Sequence, residues 1–109
     1  MKEIENHVVK ECGWAGPLFW VTTSDDYAIH LYDAPISLNR SSVEIGQDIR
    51  SHIEEQTIEK IEIDSKSFTV VFNGGSKLSI ESKPYETARI FKQSSEDSHH
   101  VYENGTFEA

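Results

Sequence analysis

Short segments that alternate apolar and polar residues, separated by turn formers, constrain the fold of this chain more than any other feature. Leu18–Thr23 is a continuous apolar and β-branched run, and residues 27–32 alternate apolar with other side chains. The polar stretch 24–26 (Ser-Asp-Asp) lies between them. A strand, a polar turn and a half-buried strand in succession predict a β-hairpin.

The second half of the chain shows the same pattern more clearly. Residues 59–63 and 68–72 alternate, and the Asn-Gly-Gly stretch 73–75 separates the latter from a strand predicted at 78–80. Asn-Gly and Gly-Gly favour tight hairpins because both central residues readily adopt positive φ. Two more short strands are predicted at 88–92 and 101–102, followed by a last turn at Asn104 and Gly105.

One segment has helical spacing instead. Ser41 and Glu44 have the spacing of a capping box, which satisfies free N–H groups at a helix start. Apolar residues then recur every four positions, at Ile45, Ile49 and Ile53, which places them on one face of a helix. This predicts a short helix that ends near Gln56.

Together these elements predict an α+β fold for residues 1–109 as a single domain. We expect a mainly antiparallel β-sheet of about six to seven short strands, with one short helix around residues 42–56. A chain of 109 residues buries one compact core but not two. The pattern of Tyr27, Ile29 and Leu31, echoed by Phe68, Val70 and Phe72, also suggests an internal repeat.

The net charge of the chain limits the classes of molecule that it is expected to bind. Nineteen Asp and Glu against ten Lys and Arg give a formal net charge of −9, spread along the whole sequence. This balance disfavours direct binding to nucleic acid or to anionic membrane surfaces, both of which attract basic faces. It favours a basic protein partner, through electrostatic steering, or a surface that is acidic for solubility alone.

The sequence predicts a cytoplasmic location. The first residues carry acids where a secretory signal would have a basic and then an apolar stretch, and no apolar run reaches the roughly 18–20 residues that cross a bilayer. The single cysteine, Cys12, has no partner in the chain for a disulfide, which fits a reduced compartment.

Catalytic and metal-binding motifs are not evident in the sequence, so we predict no enzyme activity, no metal site and no cofactor. The adjacent His99 and His100 point to opposite faces of a strand, which disfavours chelation of one ion. His30 is predicted on the outward face of its strand and His52 on the helix. Cys12 has no accompanying histidine pattern, and no serine lies in a G-x-S-x-G motif.

Three pairs of neighbouring acids are the candidate partner-binding residues. They lie in a hairpin turn, at the end of the predicted helix and in the longest polar loop: Asp25 and Asp26, Glu54 and Glu55, and Glu96 and Asp97. If they converge, they form a patch that mimics a phosphate backbone and plugs a basic cleft. Trp14 and Tyr102 are added as aromatic anchors because such residues often dominate binding energy, although core packing is the alternative for Trp14.

The stretch from Ile58 to Phe107 resembles a group of small bacterial proteins with two β-hairpin halves. The resemblance lies in the segments FTVVFNGGSKLSI, PYETARIF and HVYENGTFE. Members of this group look like immunity proteins of polymorphic toxin and contact-dependent growth inhibition systems. The resemblance implies a cytoplasmic inhibitor that binds a cognate toxin and blocks its active site. The acidic charge of the chain favours a basic, nuclease-type toxin as that partner. It carries over no catalytic residues.

Two other functions stay open at this stage. One is a small-ligand-binding β domain, with a pocket between sheet and helix. The other is a structural or assembly subunit that associates through an edge strand, for which Val101 to Glu103 is the candidate. The sequence does not fix the oligomeric state.

Overall fold

The computed structural model describes residues 2–108, except for the side chains of Lys2 and of residues 96–98. Residues 2–108 form eleven strands and two 3-10 turns, the turns at Lys2–Ile4 and Arg50–His52. The strands are β1 (Val9–Ala15), β2 (Leu18–Thr23), β3 (Tyr27–Leu31), β4 (Ile36–Leu38), β5 (Ser41–Val43), β6 (Ile58–Ile63), β7 (Ser67–Phe72), β8 (Lys77–Glu81), β9 (Glu86–Lys92), β10 (Ser95–Glu103) and β11 (Thr106–Glu108).

Two antiparallel sheets share one core. The six-stranded sheet has the order β1-β2-β3-β9-β10-β11, and the five-stranded sheet has the order β5-β4-β8-β7-β6. Apolar side chains from both sheets form a single buried cluster. In it, the ring of Phe68 from β7 lies 5.7 Å from the ring of Tyr102 from β10. The predicted mainly antiparallel β architecture is confirmed, with more strands than expected.

The helix predicted around residues 42–56 is wrong. Ser41–Val43 is strand β5, and only Arg50–His52 forms a single 3-10 turn. Gly46 has φ +86°, a left-handed conformation that interrupts a helix. Ile49 and Ile53 are buried, but Ile45 is 69 % exposed, so the three isoleucines do not share a face.

The predicted hairpin turns are confirmed where Gly or Asp supplies positive φ. Asp26 has φ 75°, Gly75 has φ 95° and Gly105 has φ 77°. The proposed edge strand is wrong, however. Val101 to Glu103 lies in β10, which is hydrogen-bonded on both sides, to β9 and to β11.

The two halves of the chain have the same topology. In each half, a 3-10 turn precedes a meander of three strands, β1-β2-β3 in the first half and β6-β7-β8 in the second. The hairpin that follows each meander belongs to the other sheet. The β4-β5 hairpin pairs with β8, and the β9-β10 hairpin pairs with β3. Each meander is therefore completed by the hairpin of the other half.

Hydrogen bonds at the junction of the halves repeat at a spacing of 49 positions. The N–H of Val9 donates to the carbonyl of Gln56 over 2.8 Å, and the N–H of Ile58 donates to the carbonyl of His7 over 2.9 Å. Val8 and Thr57, themselves 49 positions apart, form an antiparallel bridge. This reciprocity is the pattern of an approximate twofold axis beside that bridge.

The internal repeat is thus real in the topology, with an alignment different from the predicted one. β3 corresponds to β8, and β2 corresponds to β7, whereas the sequence pattern had matched β3 with β7. Between residues 1–39 and 50–88, five positions are identical at the spacing of 49: the pairs are Ile4 and Ile53, Glu5 and Glu54, Phe19 and Phe68, Val21 and Val70, and Pro35 and Pro84.

Candidate functional site

The first acidic pair lies in the β2–β3 turn and is held by neighbouring segments. Nδ1–H of His7 donates to Oδ2 of Asp25 over 2.6 Å. Asp26 accepts more hydrogen bonds than Asp25. Its carboxylate accepts hydrogen bonds from the N–H and the hydroxyl of Ser94, and its carbonyl accepts one from the N–H of Gln93 over 2.8 Å. Asp25 is therefore the exposed charge of the turn, whereas Asp26 ties the turn to the β9–β10 hairpin.

The second and third pairs lie close to this turn along the backbone. Glu96 and Asp97 fall in β10 just after Ser94, and their side chains are outside the described part of the structure. The N–H of Glu55 donates to the carbonyl of Val9 over 2.9 Å, and Val9 is paired with Thr23, two residues before Asp25. We call these three pairs the acidic end.

Glu54 lies near the buried thiol of Cys12. Burial, followed by the negative charge of Glu54, raises the pKa of Cys12 to about 12. Cys12 is 4 % exposed. A protonated, buried thiol is a poor nucleophile, so its surroundings suit packing rather than covalent chemistry.

The two proposed aromatic anchors do not lie together. Tyr102 is fully buried, and its hydroxyl donates to the carbonyl of Asp64 over 2.8 Å, so it is a core residue and does not fit the role of a surface anchor. Trp14 is half-buried at the rim of the core, with its ring 5.1 Å from that of Phe19. Its indole N–H donates to the carbonyl of Gln47 over 2.8 Å.

The outer face of the six-stranded sheet carries a row of large side chains that the sequence did not single out. Trp20 is paired with His30, and His30 with Arg89, across strands β2, β3 and β9. All three side chains are half-buried. The alternation that predicted His30 to point outward applies also to Arg89, but the pairing of β3 with β9 joins distant parts of the chain and has no local signal.

Arg89 is fixed by a network of hydrogen bonds. Its guanidinium makes a two-pronged contact with Glu86, with Nε to Oε2 at 3.0 Å and Nη2 to Oε1 at 2.7 Å. Its Nη1 donates to Nδ1 of His99 over 3.1 Å, so this ring nitrogen is the acceptor. The bidentate geometry orients the guanidinium strongly.

Aromatic rings extend this network across the sheet. The ring of Phe91 contacts His30 edge-on at 4.8 Å between centroids and stacks on His99 at 5.2 Å. Burial, and secondly the positive charge of Arg89, lowers the pKa of His30 below its ordinary value. His30 is therefore neutral at pH 7.

An open groove of about 520 Å³ adjoins this row. Its lining combines apolar, aromatic and charged side chains, namely Pro17, Leu18, His30, Tyr32, Asp33, Glu86 and Arg89. The volume lies in the usual range for ligand sites. Among the side chains that the structure describes, no group of three His, Cys, Asp or Glu is arranged to hold a metal ion.

Comparison with known proteins gives no relative for this architecture: no protein family model, no curated protein and no solved structure matches the chain. In the part of the chain that the structure describes, no helix has the length and apolar character needed to cross a membrane.

Proposed function

We propose that this protein is an immunity protein that binds a basic, nuclease-type toxin in the cytoplasm and blocks its active site. The observation that carries the proposal is the proximity of the acidic pairs along the backbone, in a chain with a net charge of −9. The β2–β3 turn and the β9–β10 hairpin, which carry two of the pairs, are hydrogen-bonded to each other through Asp26 and Gln93.

Physical reasons favour a protein partner for such a surface. Clustered exposed carboxylates repel one another, which costs stability, and a basic partner relieves this repulsion on binding. Opposite charges also steer the two proteins together and raise the association rate. Asp25, with 60 % of its side chain exposed, and the exposed Glu55 are available for this role.

The first test is co-expression with the product of the gene directly upstream, where a cognate toxin would be encoded. We expect that product to arrest growth alone, this chain to restore growth, and the two to purify together. A harmless neighbour that does not bind would contradict the proposal.

The second test addresses the acidic end itself. Asp26 is left unchanged because its carboxylate holds Ser94, and Asp25→Lys is combined with Glu55→Lys. We expect association with the toxin to slow about tenfold at low salt and to lose much of its salt dependence. The control is Glu62→Lys with Glu108→Lys, which changes the net charge equally on exposed positions of β6 and β11. Equal association rates for the two double variants would exclude a specific role of the acidic end.

A further inference from the structure

The internal duplication provides a reference for the outer face of the six-stranded sheet. On that sheet a row of paired residues runs from Trp20 through His30 to Arg89. The corresponding row of the five-stranded sheet has the same register and only small hydroxyl side chains: Thr69 pairs with Ser79, and Ser79 with Ser37. The same strand pairing therefore forms with serine and threonine at these positions of the five-stranded sheet. It does not require aromatic rings or a guanidinium group there.

Packing accounts for one member of the row. The indole of Trp20 lies against Gly13 on the neighbouring strand, where a Cβ atom would lie 3.1 Å from Cζ2 of the ring. An aromatic ring that covers a cross-strand glycine stabilises a sheet. This explanation does not extend to His30, nor to the Arg89 network next to it.

The charges around the groove select a cation. Both carboxylate oxygens of Glu86 are engaged by Arg89, so this pair is close to neutral. Asp33 lines the groove, is exposed, and contributes a further negative charge. Pro17 and Leu18 add an apolar wall, and the half-buried ring of Tyr32 adds an aromatic face. Aromatic faces attract cations, and an apolar wall suits an aliphatic chain.

We propose that this groove is a binding site for an arginine or lysine side chain of a partner protein, with the aliphatic stem along Leu18 and the charged head between Asp33 and Tyr32. A basic partner is complementary to the net charge of −9. The groove lies at the opposite end of β2, β3 and β9 from the acidic end, about 20 Å away at the usual rise per residue of a strand. The two surfaces are thus separate, and either can fail without the other.

The site is tested by two-dimensional NMR titration of the full chain with Nα-acetyl-arginine amide. This probe is too small to reach both surfaces at once. We expect shifts in Leu18, His30 and Tyr32, which line the groove, and none in Thr69, Ser79 and Ser37 on the other sheet. Nα-acetyl-glutamate amide and the uncharged Nα-acetyl-norleucine amide are expected to bind more weakly at the groove.

Two variants separate site binding from general attraction to an acidic protein. Asp33→Asn removes the charge and keeps a residue that tolerates φ 63° at this position, and it should weaken binding by about twofold to fivefold. Glu62→Gln, which alters the net charge equally on the five-stranded sheet, should leave binding unchanged. The proposal is overturned if both variants weaken binding equally, if the glutamate probe shifts the groove residues more, or if the arginine probe shifts only the acidic end or nothing.

Discussion

Asn6 and Glu55 stand 49 positions apart and share the same left-handed backbone conformation, with φ of 69° and 68°. Both residues follow a 3-10 turn and make corresponding hydrogen bonds: the N–H of Asn6 donates to the carbonyl of Ile58, and the N–H of Glu55 to the carbonyl of Val9. Asparagine tolerates this conformation, whereas glutamate rarely adopts it. One copy of the repeat is therefore strained where the other is not.

The strain predicts opposite effects of exchanging these residues. Glu55→Asn should raise the free energy of unfolding by about 0.5–1 kcal/mol, and Asn6→Glu should lower it by a similar amount. Urea unfolding of the two variants measures both changes. If Asn6→Glu proves as stable as the unaltered protein, backbone strain at these positions is not the reason for the difference.

The duplication also predicts that two corresponding buried isoleucines contribute equally to the free energy of unfolding. Ile4 and Ile53 are both fully buried at corresponding positions, at the end of the first 3-10 turn and directly after the second. Truncation of either to alanine should cost about 2–5 kcal/mol through lost burial and a residual cavity. Ile45→Ala is the matched control, since this side chain is 69 % exposed, and its effect should stay within about 0.5 kcal/mol. A large loss of stability in Ile45→Ala would show that this side chain is buried with Ile49 and Ile53, as the predicted helix required.

Sequence patterns predicted the strands and turns of this fold, but not the structure around those isoleucines or the arrangement of the sheets. Strands such as Leu18–Thr23 and turns such as 73–75 were predicted because alternation and turn residues are local signals. The helix was not formed because Gly46 interrupts it and because Ile49 and Ile53 are buried by tertiary contacts rather than by helical periodicity. The division into two sheets depends on long-range pairs such as Ile29 with Ile90, which no local pattern encodes.

The candidate sites show the same contrast between local sequence signals and long-range contacts. The acidic pairs could be found in the sequence because they are adjacent residues, but their proximity depends on contacts such as that of Asp26 with Ser94. The groove was missed, since its lining comes from three separate parts of the chain. Burial of Tyr102 was also missed, because a strand pattern of two residues does not show which side faces the core.

Tyr102 provides a test of how the two sheets are joined. Its ring lies in the six-stranded sheet, and its hydroxyl donates to the carbonyl of Asp64 in the β6–β7 turn of the other sheet over 2.8 Å. Tyr102→Phe keeps the ring and should cost about 1 kcal/mol, the net value of a hydrogen bond. Tyr85→Phe is the control, because the hydroxyl of Tyr85 donates to the carbonyl of Asp33 at an exposed position. Thermal and urea unfolding should show a smaller loss for the control, and equal losses would contradict this assignment.

His30 predicts a pH dependence of stability with a definite sign. Burial and the charge of Arg89 lower the pKa of His30, while Glu86 acts in the opposite direction. Between the ordinary histidine pKa of about 6.5 and the lowered value, the unfolded chain binds a proton that the folded chain does not. This contribution to stability is therefore complete above about pH 6.5, is lost as the pH falls, and levels off below the lowered pKa.

The titration of His30 can be followed directly by NMR of its ring protons. We expect a midpoint below 6.5 in the unaltered protein and a higher midpoint in Arg89→Ser, because a neighbouring positive charge is removed while most of the burial remains. In His30→Ser, the loss of stability between pH 7 and pH 5 should be smaller than in the unaltered chain. A midpoint at or above 6.5 would contradict the lowered pKa of His30, and a midpoint that falls in Arg89→Ser would show that the guanidinium does not lower it.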